Sequence, residues 1–139
     1  MKGGVVLDSW AVMAWLKGQE PAAARVRTLL DGAGKRKLVM SIVNLGEVYY
    51  LTVKLRDPSY GMQVLEALRA RVRIISASDE LVMAAAGLKS RFAISYADAF
   101  AAATAIACDL PLMTGDAEFL AMAGAEPDFR VEWIGADGK

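Results

Sequence analysis

The chain has 139 residues, 55% of them hydrophobic, and its 16 basic and 16 acidic side chains cancel. That length suits one domain, the apolar content excludes disorder, and zero net charge excludes a protein drawn onto nucleic acid or membrane by a global field. Without histidine and with one cysteine, Cys108, it cannot run serine–histidine or cysteine–histidine catalysis, build a histidine-containing zinc site or close an intrachain disulfide.

Gly4–Leu7 reads as a short buried strand, with Asp8 and Ser9 as cap candidates for a helix over Ala11–Leu16. Asp8 also interrupts the opening apolar run too early for a signal-peptide core. Pro21 opens a helix to about Leu30, stopped by Asp31-Gly32-Ala33-Gly34. A phosphate loop is excluded there, because Leu29 and Arg36 stand where glycine and serine or threonine are needed. Lys37–Met40 reads as a strand, and Ser41 caps a helix over Ile42–Leu55 that Asp57-Pro58 breaks. A helix over Ser59–Ala70 and a strand over Val72–Ile75 follow. Ser78-Asp79-Glu80 starts a helix to about Lys89, and Ser95 begins an alanine-rich one to about Cys108. In its Ala-Ile-Ala-Cys setting Cys108 reads as a buried small hydrophobe. Pro111–Met113 reads as a strand, Asp116–Ala121 as a short helix and Phe129–Ile134 as a last strand.

Strands alternating with helices predict an α/β fold: a central, mainly parallel sheet of about five strands in a three-layer α/β/α domain. No linker divides residues 1–139, so one domain is expected. No apolar run approaches the roughly 20 residues that span a bilayer, and a soluble, cytoplasmic protein is expected.

Three acids interrupt apolar sequence. Asp8 follows Val5-Val6-Leu7, Glu47 has Val43, Tyr50 and Leu51 one helical turn away, and Asp98 shares its face with Ile94, Ala101 and Ala102. No lysine or arginine stands one turn from any of them. A buried carboxylate needs a partner, a proton or a metal, so the choice lies between long-range salt bridges and a cation. Asp116 reads as a helix cap at a strand end, the same kind of place that Asp8 occupies. Beyond the carboxyl ends of parallel strands ligands gather, and four acids converging there would repel one another. All-oxygen ligation selects magnesium, with manganese able to substitute, and points to metal-assisted phosphoryl chemistry.

These acids and their neighbours resemble the PIN-domain nucleases, and in particular the VapC-type toxins of toxin–antitoxin pairs. The likeness is carried by Val-Val-Leu-Asp8-Ser9, Ser41-Ile-Val-Asn-Leu-Gly-Glu47-Val, Ser95-Tyr-Ala97-Asp98-Ala-Phe and Leu-Met-Thr114-Gly-Asp116-Ala-Glu-Phe119. It implies a PIN-like fold and a magnesium site made by Asp8, Glu47, Asp98 and Asp116, with the Ser9 and Thr114 hydroxyls supporting the carboxylates. It further implies an endoribonuclease that hydrolyses a phosphodiester with water activated on magnesium, leaving a 3′-hydroxyl and a 5′-phosphate. Trp10 departs from the small residue usual in that family, and Glu118 reads either as a solvent-facing helix residue or as a fifth acid near the metal. The resemblance implies a homodimer silenced by an antitoxin, with DNA binding left to that antitoxin.

Candidate RNA phosphate contacts are Lys35, Arg36 and Lys37, then Arg69, Arg71 and Arg73, then Lys89 and Arg91. Trp10, Trp15, Tyr49 and Tyr50 are candidates for an apolar surface that binds another chain. Alternatives remain at this stage. They are a PIN nuclease of RNA processing, a receiver-like signalling domain and a structural interaction domain whose acids are salt-bridged across the fold. A haloacid-dehalogenase-type phosphatase lacks its second acid at Trp10, and the receiver reading lacks an acid after Val72–Ile75.

Overall fold

A computed structural model describes residues 3–32 and 35–136. Five strands are present, β1 (Val5–Leu7), β2 (Leu38–Ser41), β3 (Arg73–Ile75), β4 (Leu112–Thr114) and β5 (Val131–Trp133). The helices are α1 (Ser9–Lys17), α2 (Ala22–Leu30), α3 (Ile42–Leu55), α4 (Pro58–Arg71), α5 (Asp79–Arg91), α6 (Tyr96–Cys108) and α7 (Phe119–Ala125). Every strand pair is parallel, in the order β3-β2-β1-β4-β5. Because each crossover is helical, the sheet is covered on both faces, as the alternation of elements requires.

Alternating side chains divide the core in two. Val5, Leu7, Leu38, Met40 and Met113 point to the face packed by α1 to α4. Val6, Val39 and Leu112 point to the face packed by α5, α6 and α7. The helix starts obey local chemistry: Asp8, Ser41, Asp57, Ser78 and Ser95 each cap their helix by accepting a backbone N–H. Gly18, at φ 69°, ends α1 in the left-handed conformation that glycine adopts without penalty.

Chain order along the sheet runs outward to β3 on one side of β1 and to β5 on the other. The crevice beyond the carboxyl ends of β1 and β4 is therefore the topological switch point. Asp8 directly follows β1, and Asp116 stands two residues after β4.

Two expectations are corrected. The last helix begins at Phe119, not Asp116, because the Asp116 Oδ1 accepts the Glu118 N–H at 3.0 Å in an Asx turn that precedes it. Cys108 is half-buried against the second core rather than enclosed. Of the four aromatic candidates for an apolar surface, Tyr50 is 51% exposed, whereas Trp10 and Trp15 are half-buried against the first core. The turn expected at Gly32-Ala33-Gly34-Lys35 includes residues 33 and 34, outside the described residues.

Arg36 joins two distant parts of the sheet. Its Nη1 and Nη2 donate to Glu132 Oε2 and Oε1, both at 2.8 Å, and its Nε donates to the Gly3 carbonyl at 2.9 Å. This bidentate fork and the Nε bond tie the entry to β2 and the segment leading into β1 to the edge strand β5. The Glu132 bonds hold the guanidinium charge above even its ordinary basicity. Replacing Arg36 with Ala should lower stability by about 1.5–3 kcal/mol, while Lys37→Ala stays within about 0.5 kcal/mol. Urea unfolding of the two variants checks this, and an unchanged midpoint for Arg36→Ala would refute the clamp.

Candidate active site

Asp8 is the hinge of the site. Its Oδ1 accepts the Ala11 N–H at 2.8 Å, starting α1. The register that pairs Leu7 with Met113 sets Thr114 beside it, and the Thr114 hydroxyl donates to Asp8 Oδ2 at 2.6 Å. The same Thr114 oxygen accepts the Asp116 N–H at 3.0 Å. One buried hydroxyl therefore holds the Asp8 carboxylate and the backbone of Asp116. Asp8 is 1% exposed. Burial pushes its carboxyl up to about 7, opposed by the Thr114 and Ala11 bonds and reinforced by the charges of Asp98 and Asp116.

Glu47 and Asp98 come from two helices locked together by Asn44. This residue, one turn before Glu47 on α3, is fully buried, and its Nδ2 donates to the Ala97 carbonyl in the first turn of α6 at 3.0 Å. There Ser95 Oγ accepts the Asp98 N–H at 3.1 Å, so the residue that begins α6 also sets the backbone of its acid. Asp98 is half-buried, and burial raises its carboxyl to about 6. The charges of Asp116, Glu47 and Glu118 add to the rise and the Ser95 bond opposes it. Glu47 Oε1 and Asn44 Oδ1 are buried with no hydrogen-bond partner.

All four predicted acids thus reach one edge of the sheet. Carboxylate oxygens of Asp98, Asp116 and Glu118 lie within 4.8 Å of one another. Glu118, read from sequence either as facing solvent or as a fifth acid, is exposed and also belongs to this group. A groove of about 340 Å³ runs from the acids along α1. Its lining includes Ser9, Glu47, Asp98, Asp116 and Glu118, with Trp10, Met13, Lys17 and Leu51 beyond them. The Ser9 hydroxyl lines the groove without bonding an acid. None of the ion pairs among the described residues involves these five acids, which removes the reading of acids salt-bridged across the fold.

The basic clusters fare differently. Lys35, Arg36 and Lys37 precede β2 and so stand at the amino edge of the sheet. Four strand residues, about 13 Å, separate them from the acid edge. Arg36 is consumed by Glu132 and is withdrawn as a phosphate contact. Arg71 donates to the Leu30 and Leu29 carbonyls at the end of α2, Arg91 pairs with Glu126 at 2.8 Å, and Lys89 donates to the Ile94 carbonyl. Sequence reading missed Lys17, which among the described residues is the cation lining the acid groove. Its signal was the spacing of Trp10, Met13 and Lys17, one stripe of α1 starting beside Asp8.

Asp98, Asp116 and Glu118 bring three carboxylates together without an ion pair among the described residues, a cluster whose chemistry suits a hard divalent cation, and beside it Asp8 is fully buried and Glu47 Oε1 is buried without a partner. Asp8 and Asp98 hold protons more tightly folded than unfolded in the metal-free protein. Their stabilising contribution is therefore complete below about pH 3.8 and lost as pH rises through about 6 and about 7. Metal-free protein should melt at a higher temperature near pH 5 than near pH 7.5, and Asp8→Asn should flatten the difference. Added magnesium should stabilise most at the higher pH, where the acids are unprotonated. Melting curves across this range test the sign, and an Asp8→Asn profile as steep as the parent's would contradict it.

The PIN domain family profile matches residues 5–125. No curated sequence relative matches. Among solved structures, the chain is similar to VapBC2 of Rickettsia felis, bound in that structure to a DNA fragment from its promoter. The identity is 19%, with 96% of this chain and 98% of that one covered and a TM-score of 0.70. It is similar to VapC20 of Mycobacterium tuberculosis, described as a sarcin–ricin loop cleaving toxin, at 20% identity over 86% of this chain and 95% of that one, TM-score 0.69. A third similarity is to FitAcB of Neisseria gonorrhoeae, at 22% identity over 91% and 95% of the two chains, TM-score 0.65. With the matched segment spanning β1 through α7 and the acids at the switch point, the chain belongs to the PIN-domain family.

Proposed function

We propose that this protein is a magnesium-dependent endoribonuclease acting as the toxin of a toxin–antitoxin pair. The observation that carries the reading is the convergence of Asp8, Glu47, Asp98 and Asp116, none of them ion-paired among the described residues, around a fully buried Asp8. Membership of a nuclease-type family supports it, as does likeness to toxin chains such as VapC20.

In this reading Asp8, Glu47, Asp98 and Asp116 hold the cation, joined by Glu118. When bound, magnesium supplies a water of lowered pKa and offsets the charge of a scissile phosphodiester. Thr114 holds Asp8 in position and fixes the backbone of Asp116, while Asn44 keeps Glu47 at the first turn of α6. With no histidine in the chain, the proton released on hydrolysis passes to a groove carboxylate or to bulk water. Manganese is expected to substitute for magnesium.

The partners follow from the same reading: an RNA substrate, a second copy of the chain, and a cognate antitoxin that supplies any DNA binding. Tyr50, Leu55 and Met62, exposed on the α3–α4 hairpin, offer apolar surface to a partner chain. No helix among the described residues is long and apolar enough to cross a membrane.

Purified, antitoxin-free protein should cleave RNA with magnesium or manganese and not with EDTA. Glu47→Gln, Asp98→Asn and Asp116→Asn should each cut the rate by more than about 100-fold, and Thr114→Val by about 10- to 100-fold. Cleavage that persists in EDTA, or in Asp98→Asn, would overturn the reading.

A further inference from the structure

The groove does not end at the acids. From them it continues along α1 past Trp10 and Met13 to Lys17, with Leu51 of α3 on its other wall. An acidic well by itself repels a polyanion, so a strand lying across it must be held by groups outside the carboxylates. Within the groove lining those groups are an indole, two apolar side chains, one ammonium and the hydroxyls of Ser9 and Ser95, which sit among the acids.

Trp10 is seated by a specific device. Its benzo edge lies over the backbone of Gly115, where an added Cβ would overlap three atoms of the ring. Gly115 has no left-handed φ to explain it, so the absence of a side chain serves the ring and not the turn. The glycine stands between Thr114, which holds Asp8, and Asp116. The indole is thus fixed at the rim of the acid site and half-exposed to the groove. Seven residues further along α1, about 10 Å of helix rise, Lys17 lies exposed at the groove's far end.

A fixed, half-buried indole lining the groove, followed by a cation, is the arrangement that takes an unstacked base and the backbone of a single strand. We infer that this groove is a single-strand subsite. The Trp10 indole stacks on the base of a nucleotide flanking the scissile phosphate, and Lys17 meets a neighbouring backbone phosphate. The inference rests on the nuclease reading above and adds how the substrate is held. A protein segment lying in the groove would use its apolar walls, but it would leave the alignment of ring and ammonium with the acids without a purpose.

The test measures binding of short labelled single-stranded oligo(U) and oligo(A) to full-length Asp98→Asn protein, in which cleavage is blocked. Because every base has a stacking face, the probe does not need to be the natural target. Trp10→Ala should weaken binding about 10- to 100-fold, and Trp10→Phe should recover most of the loss. Gly115→Ala, which displaces the ring without removing it, should reproduce the loss in protein whose circular dichroism and melting remain those of a folded chain. Lys17→Ala should lower the salt dependence of binding by about one phosphate contact. A single abasic ribose, moved along the probe, should at one position erase the Trp10→Ala penalty.

Equal penalties at every abasic position would make the ring structural and overturn the subsite. A parent that binds RNA with Trp10→Ala binding equally well would also overturn it, and leave the groove to a protein segment. A parent that binds no RNA, beside wild-type protein that cleaves none, would instead overturn the nuclease reading.

Discussion

The carboxylate of Asp8 is the group on which this molecule turns. It starts α1 through Ala11, is bonded across the sheet by Thr114, and sits 1% exposed between β1 and β4 with no cation beside it. A charge in that position is costly, and burial accordingly lifts its carboxyl to about 7. The same group serves fold and site in opposite ways. As a cap it is well satisfied, while as a buried acid among Asp98 and Asp116 it is strained electrostatically, a strain that the proposed cation would relieve.

That tension explains the unequal packing of the molecule. Away from the site the polar groups are paired conservatively: Arg36 with Glu132, Arg91 with Glu126, Arg71 with the end of α2. At the site Glu47 Oε1 and Asn44 Oδ1 are left without partners in a buried setting. Unsatisfied groups of this kind are tolerated where a function needs them. Their concentration at the topological switch point, and the neutral hydrogen bonding of the two supports Thr114 and Asn44, give the edge its chemical character.

Strand geometry supplies the precision. Parallel pairing of Leu7 with Met113 makes Thr114 the cross-strand neighbour of Asp8, and a shift of one residue would turn its hydroxyl to the other face. The helical acids are set differently. Asp98 depends on the Ser95 cap, and Glu47 on the Asn44 bond to Ala97, so the α3–α6 contact is held beside the groove by a polar lock.

Much of this was legible in the amino-acid order. The strand and helix succession, the caps at Asp8, Ser41, Ser78 and Ser95, and the PIN-like fold follow from local periodicity, capping chemistry and four recurring motifs. The acids stood out because Asp8, Glu47 and Asp98 interrupt apolar runs without a cation one turn away. What local pattern could not carry is where chain-distant side chains end. Arg36 looked like part of a basic run, yet its fork closes on Glu132, 96 residues away. Asp116 looked like a helix cap and instead makes an Asx turn before the helix, and Glu118, which sequence left between a solvent-facing residue and a fifth acid, is exposed and stands with Asp98 and Asp116. The sequence by itself determined which side chains would resist burial and where elements begin, because those depend on near neighbours. Only the tertiary structure decided which carboxylates share one groove and which cation is left to line it, because sheet register and helix crossing are set by packing between segments far apart in the chain.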